Sequence, residues 1–198
     1  KWVTVWTASA HGPYPFGNPS AQPEQKFAFP DPAAGADDQS FRMILRPGLW
    51  GSRARLRFTN AFGSRALALS DVYVALQRYA GNVVSGTNRS VTFGGKGNVS
   101  IPPGEWMWSD PVDLNFVHKS AAVFLEGRKL AVSFHIAGPS GPMTWHAKAL
   151  QTSYLSAPKG GVRSRDESEA AFPYTTASWI FLDALDMMAP AHTAVVAC

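Results

Sequence analysis

Between residues 52 and 60 the chain reads Ser-Arg-Ala-Arg-Leu-Arg-Phe-Thr-Asn, with arginine and apolar side chains in strict alternation. Successive side chains of an extended strand point to opposite faces, so Arg53, Arg55 and Arg57 share one face and Ala54, Leu56 and Phe58 the other. The same period recurs in Val72, Val74 and Leu76, and again in Leu130, Val132 and Phe134 before His135. Stretches 2–7, 41–46, 90–93, 106–108, 112–116, 144–154 and 178–188 read as further strands. Between them lie turn clusters such as Gly94-Gly-Lys-Gly-Asn98 and Pro102-Pro-Gly104. Many short strands at this spacing predict an all-β fold, a β-sandwich of jelly-roll-like kind. One stretch, 166–171, has the composition of a short helix, and no internal repeat is present.

A chain of 198 residues, 45% of them hydrophobic, can bury a full core. Residues 1–190 are expected to form one sandwich domain. Within it, 11–38 is a proline-rich arm whose Tyr14, Phe16, Phe27 and Phe29 give it something to dock. The formal charge of +4 comes without any block of like charge, which argues against nucleic acid as a partner. One cysteine, Cys198, allows neither an internal disulfide nor a multi-cysteine zinc site. No apolar run approaches the length of a membrane span.

Residues able to carry chemistry are sparse. Gly138-Pro-Ser-Gly-Pro142 lacks the Gly-x-Ser-x-Gly spacing of a nucleophile turn, and its prolines remove amide donors, so a turn between strands is the better reading. The five histidines form no metal-ligand motif, and neither a metal nor another cofactor is expected. His146 lies in a polar and aromatic stretch, 141–154, where ordinary core packing would place Val and Ile. A hydrogen-bonded structural histidine and one lining a pocket or interface are both open readings. Trp106 and Trp108 share a strand face and could stack on sugar rings, although core or interface is the commoner use of such a pair. For Arg53, Arg55 and Arg57 a solvated ridge is the default.

Several segments in order resemble the N-terminal β-sandwich of bacterial SGNH/GDSL-type esterases. They are Trp2-Val-Thr-Val-Trp-Thr-Ala-Ser9, Arg55-Leu-Arg-Phe-Thr-Asn-Ala-Phe-Gly63, Trp108-Ser-Asp-Pro-Val112, Leu130-Ala-Val-Ser-Phe-His135 and the approach to Cys198. The resemblance implies a complete enzyme that hydrolyses a carboxylic ester with a serine nucleophile, a histidine base and an orienting aspartate. None of those residues maps onto this chain. The apolar run 194–198 is then the first strand of a hydrolase α/β sheet, within a segment 191–198, and the Gly-Asp-Ser block is expected beyond Cys198. A catalytic SGNH hydrolase chain or domain becomes the expected partner, with Cys198 as chain end or cleavage point and a noncovalent heterodimer as the favoured assembly. Asn60, Trp145 and His146 are expected to wall the cleft for a small ester substrate. A secreted or periplasmic setting follows from the same resemblance, the cytoplasm remaining open. The rival reading is a stand-alone carbohydrate-binding module using Trp106 and Trp108.

Overall fold

A computed structural model of the chain describes residues 1–14, 22, 25–117, 122–191 and 193. In chain order its first strands are β1 (Trp2–Thr7), β2 (His11–Tyr14), β3 (Gln39–Leu45), β4 (Arg53–Thr59), β5 (Leu67–Tyr79), β6 (Asn82–Val83), β7 (Arg89–Val91) and β8 (Asn98–Ile101). They are followed by β9 (Trp106–Trp108), β10 (Val112–Asp113), β11 (Leu130–Ile136), β12 (Met143–His146), β13 (Ser153–Leu155), β14 (Tyr174–Thr176), β15 (Trp179–Ile180) and β16 (Leu182–Met188). Two single-turn helices, α1 (Gln25–Ala28) and α2 (Ala122–Leu125), complete the elements. The stretch expected to be helical, 166–171, makes one 3-10 turn at Glu169–Ala171, with Ser168 as its N-cap. The terminal run 194–198, Cys198 and Phe16 lie outside the described residues. Among the described residues no helix is long and apolar enough to cross a membrane.

The fold is all-β and sandwich-like, and its strand ladders are antiparallel. The larger sheet runs β14-β13-β3-β11-β5-β6, with β7 and β8 also pairing along β5. The smaller runs β1-β16-β4-β10, with β9 extending the same edge of β4. A third sheet, β15-β12-β2, lies beside them. Phe41 and Met43 of β3, Val74 of β5 and Val132 and Phe134 of β11 share one core with Leu56 and Phe58 of β4 and Leu185 and Met187 of β16. Phe134 stacks on Phe41 with ring centroids 5.2 Å apart and meets Phe58 edge-on at 5.1 Å, so aromatic contact joins the two sheets.

The alternation along β4 is clean because one of its faces is covered by the core. Strand β3 is buried at every residue, because a second layer covers its outer face: Ile44 packs with Ala75, Ala131, Tyr154, Val83 and Phe172. Arg42, which points into that layer, is fully buried. Its Nε donates to Ser133 Oγ at 2.8 Å, its Nη atoms donate to the Gly81 and Asp166 carbonyls, and its guanidinium lies 4.2 Å from the Phe172 ring centroid.

The described part of the arm is docked. Phe29 is buried in the core and Tyr14 packs against it, whereas Phe27 is exposed. A two-way clip secures residues 34–36 to the 138–142 turn. Gly141 N donates to Ala34 O at 2.9 Å, Ser140 N to Ala36 O at 2.8 Å, and Ala36 N to Ser140 Oγ at 3.0 Å. Ser140 is thus a turn residue with its hydroxyl committed, as its sequence context predicts.

Candidate functional site

The third sheet assembles the most polar and aromatic crevice of the sequence-chosen region. Antiparallel pairing sets Trp145 opposite His11 and His146 opposite Trp179. The His146 ring stacks on His11 with centroids 5.1 Å apart and tilts against Trp179 at 5.5 Å. Trp179 in turn meets Trp6 edge-on at 4.8 Å. Hydrogen bonds fix the ring nitrogens. His146 Nδ1 lies 2.8 Å from the Ser9 carbonyl, which can only accept, so Nδ1 carries the hydrogen and Nε2 of the neutral ring keeps its lone pair. Ala147 N donates to His11 Nδ1 at 3.3 Å, which puts the hydrogen of neutral His11 on Nε2.

Beside these rings, Ala8, Thr59, Thr144, Trp145, Phe181 and Asp183 narrow the crevice to room for about one water molecule. Phe181 turns the chain there at a left-handed φ of 61°. Its amide donates to Thr144 O and its carbonyl accepts from Thr59 N, so it bonds to β12 on one side and β4 on the other. The crevice is therefore too small for an ester.

The three residues chosen from sequence separate. Trp145 and His146 line this crevice. Trp145 is 2% exposed, packs against Tyr14 with centroids 4.9 Å apart, and its indole N–H finds no acceptor among the described residues. Asn60 is buried and looks elsewhere: Nδ2 donates to the Arg65 and Ile101 carbonyls, each at 2.9 Å, while its backbone carbonyl accepts from the amides of Gly63 and Gly104. It ties a turn to the end of β8. Both hydrogens of its side-chain amide are committed to that work.

The arginine face is a lattice instead of a solvated ridge. Arg55 donates through Nε and Nη2 to Asp186 at 2.9 and 2.7 Å, and Arg57 through the same pair of atoms to Asp183 at 2.8 and 3.0 Å. Arg53 meets Asp113 at 3.0 Å. The Arg55 guanidinium lies between Trp2 and Trp108, 4.9 and 4.6 Å from their centroids, and Arg57 lies 5.5 and 5.6 Å from Trp106 and Trp108. Sequence spacing hides the two aspartates. Positions three apart on a regular strand face opposite ways, but the ladder between β16 and β4 shifts between Leu182 and Ala184, and that bulge brings Asp183 to the arginine side with Asp186.

A serine, a histidine and an aspartate also meet inside the larger sheet, a grouping that the sequence did not signal. Ser40 Oγ lies 3.3 Å from His135 Nδ1, and His135 Nε2 lies 3.3 Å from Asp38 Oδ1. Burial pushes the His135 pKa below its usual value, with Asp38 and Asp71 opposing. The ring is therefore neutral near pH 7. The Asp38 carboxylate accepts from Nε2–H, which leaves the Nδ1 lone pair 3.3 Å from Ser40 Oγ, in competition with the Gly161 carbonyl for the one hydroxyl hydrogen. A nucleophile must be reachable and have amide donors waiting for the oxyanion. Ser40 is 0% exposed, and its Oγ already donates to Gly161 O and accepts from Arg163 N. The group is a structural relay between β3, β11 and the 160–163 loop.

Among the described residues no group of three or more His, Cys, Asp or Glu side chains could hold a metal ion. In comparison with known proteins, the chain matches no family model and no curated sequence.

Proposed function

We propose that this chain is the non-catalytic sandwich of an SGNH/GDSL-type serine ester hydrolase, lining the substrate cleft of a catalytic domain or chain that supplies the nucleophile. The observation that carries the reading is the sealed state of Ser40. Ser40, which stands beside a histidine and an aspartate, is inaccessible and bonded on both sides, which supports a reading in which the nucleophile is supplied by another domain or chain. The segments that resemble the esterase sandwich support the family. They coincide with β1, with β4 and its turn, with the link from β9 to β10, and with β11, which are framework elements of the two sheets. Trp145 and His146 then form part of the wall, and Asn60 holds the turn behind it.

The test is labelling of the native protein with a fluorophosphonate probe, followed by peptide mapping. A label on a serine in a Gly-Asp-Ser context, outside these 198 residues and on a polypeptide that co-purifies or is continuous with them, is the expected result. A label on Ser40 or Ser140 would overturn the non-catalytic assignment. No label on any associated polypeptide, with no hydrolysis of p-nitrophenyl acetate, would remove the hydrolase reading altogether.

A further inference from the structure

On the outer face of the smaller sheet the rings and guanidinium groups alternate as Trp2, Arg55, Trp108, Arg57, Trp106. The row runs from β1 across β16 and β4 to β9, about 14 Å at the usual strand spacing. Trp106 at its end is 53% exposed, a large value for an indole on a sheet face. Such an indole offers a flat apolar surface at low conformational cost.

Charge decides what the row accepts. Three arginines face three aspartates, so the surface is balanced. A polyanion would have to displace Asp183 and Asp186 from paired geometry, and a polycation would have to displace the arginines. A neutral polyhydroxyl chain displaces neither. Arg55 and Arg57 commit Nε and Nη2 to their aspartates, and Nη1 of each hydrogen-bonds no described residue. Ring faces beside fixed, uncommitted donors match the C–H faces and hydroxyls of a sugar.

We infer that this ladder binds a neutral glycan chain, with Trp106 as the stacking residue and Arg55 and Arg57 as hydroxyl-binding donors. Resting on the hydrolase reading above, the ester would then be an acyl group carried by such a glycan. The ladder and the His146 crevice share Asp183, which pairs with Arg57 and also lines the crevice, so the two features lie on either side of one carboxylate.

Affinity electrophoresis in gels containing soluble xylan, galactomannan or alginate tests the inference. Retardation by at least one of the two neutral glycans and not by alginate is expected, and Trp106→Ala should weaken it at least tenfold while the thermal midpoint stays unchanged. A second variant, Arg57→Met, should weaken it as well. Absence of retardation in both neutral glycans, or equal retardation of Trp106→Ala, overturns the inference; stronger retardation in alginate overturns it in favour of an anionic ligand. Hydrolysis of p-nitrophenyl acetate in the same preparations reports separately on the hydrolase reading. Hydrolysis without glycan retention removes this inference alone, and retention without hydrolysis leaves the glycan site but removes the ester substrate.

Discussion

His135 and Arg42 are both buried polar residues of the larger sheet, and they respond differently to change. The folded state holds His135 neutral, with its pKa below the unfolded value of about 6.5. Below that unfolded value the unfolded chain binds a proton that the native ring resists, so the contribution to stability is full at pH 7.5. It is lost progressively as pH falls through about 6.5 towards the native pKa. The thermal midpoint should therefore decline between pH 7.5 and 5, and His135→Gln should flatten that part of the profile. An unchanged slope in the variant would show that other groups set it. Arg42 has its pKa lowered by burial to about 10, with Asp166 opposing, and it still carries its charge at neutral pH. Its fork reaches Ser133, Gly81 and Asp166 at once. A lysine cannot span three such acceptors, so Arg42→Lys should cost about 3 kcal/mol in urea unfolding, two charged hydrogen bonds' worth. A loss below about 1 kcal/mol would mean the ammonium finds equivalent partners.

The elements succeed or fail through their junctions. Gly35 sits at φ 65° and makes a parallel bridge with Gly141, where a Cβ would overlap the Gly141 carbonyl oxygen. Gly95 has a similar backbone, φ 79°, in open space within the turn between β7 and β8. Comparing alanine at the two positions separates backbone strain from lost docking. Gly95→Ala should cost about 1 kcal/mol, whereas Gly35→Ala should cost at least about 2 kcal/mol because it also opens the clip between arm and turn. Limited proteolysis of Gly35→Ala should show faster cleavage within residues 11–38. Equal costs at the two sites would mean that the bridge contributes nothing to holding the arm. The bulge in β16 has the opposite character: it adds a residue with no partner in the β4 ladder, and in doing so gives Arg57 its carboxylate.

Across the whole molecule, the crevice and the ladder gather at the end where Thr59, Trp106 and Asp183 meet. A partner that completes a substrate cleft has to contact that end. On the function proposed above, His146→Ala in the assembled enzyme should raise KM for esters about tenfold, equivalent to about 1.4 kcal/mol of binding, with kcat little changed. Identical KM values across several acyl lengths would sink the cleft-wall role. The chain's own periodicity was enough to predict the all-β class, the inward face of β4 and the strands β5 and β11. Those features depend on the order of neighbouring residues within one strand, and an alternation of period two has one structural solution. Periodicity could not announce that the outer face of β3 would be covered, or that Arg42 would be buried there. Nor could it pair His11 with His146, align Asp38, Ser40 and His135, or turn Asp183 towards Arg57. Each of these depends on strand order, register and a single bulge, which are set by how distant segments pack against a common core and not by anything local to the residues themselves.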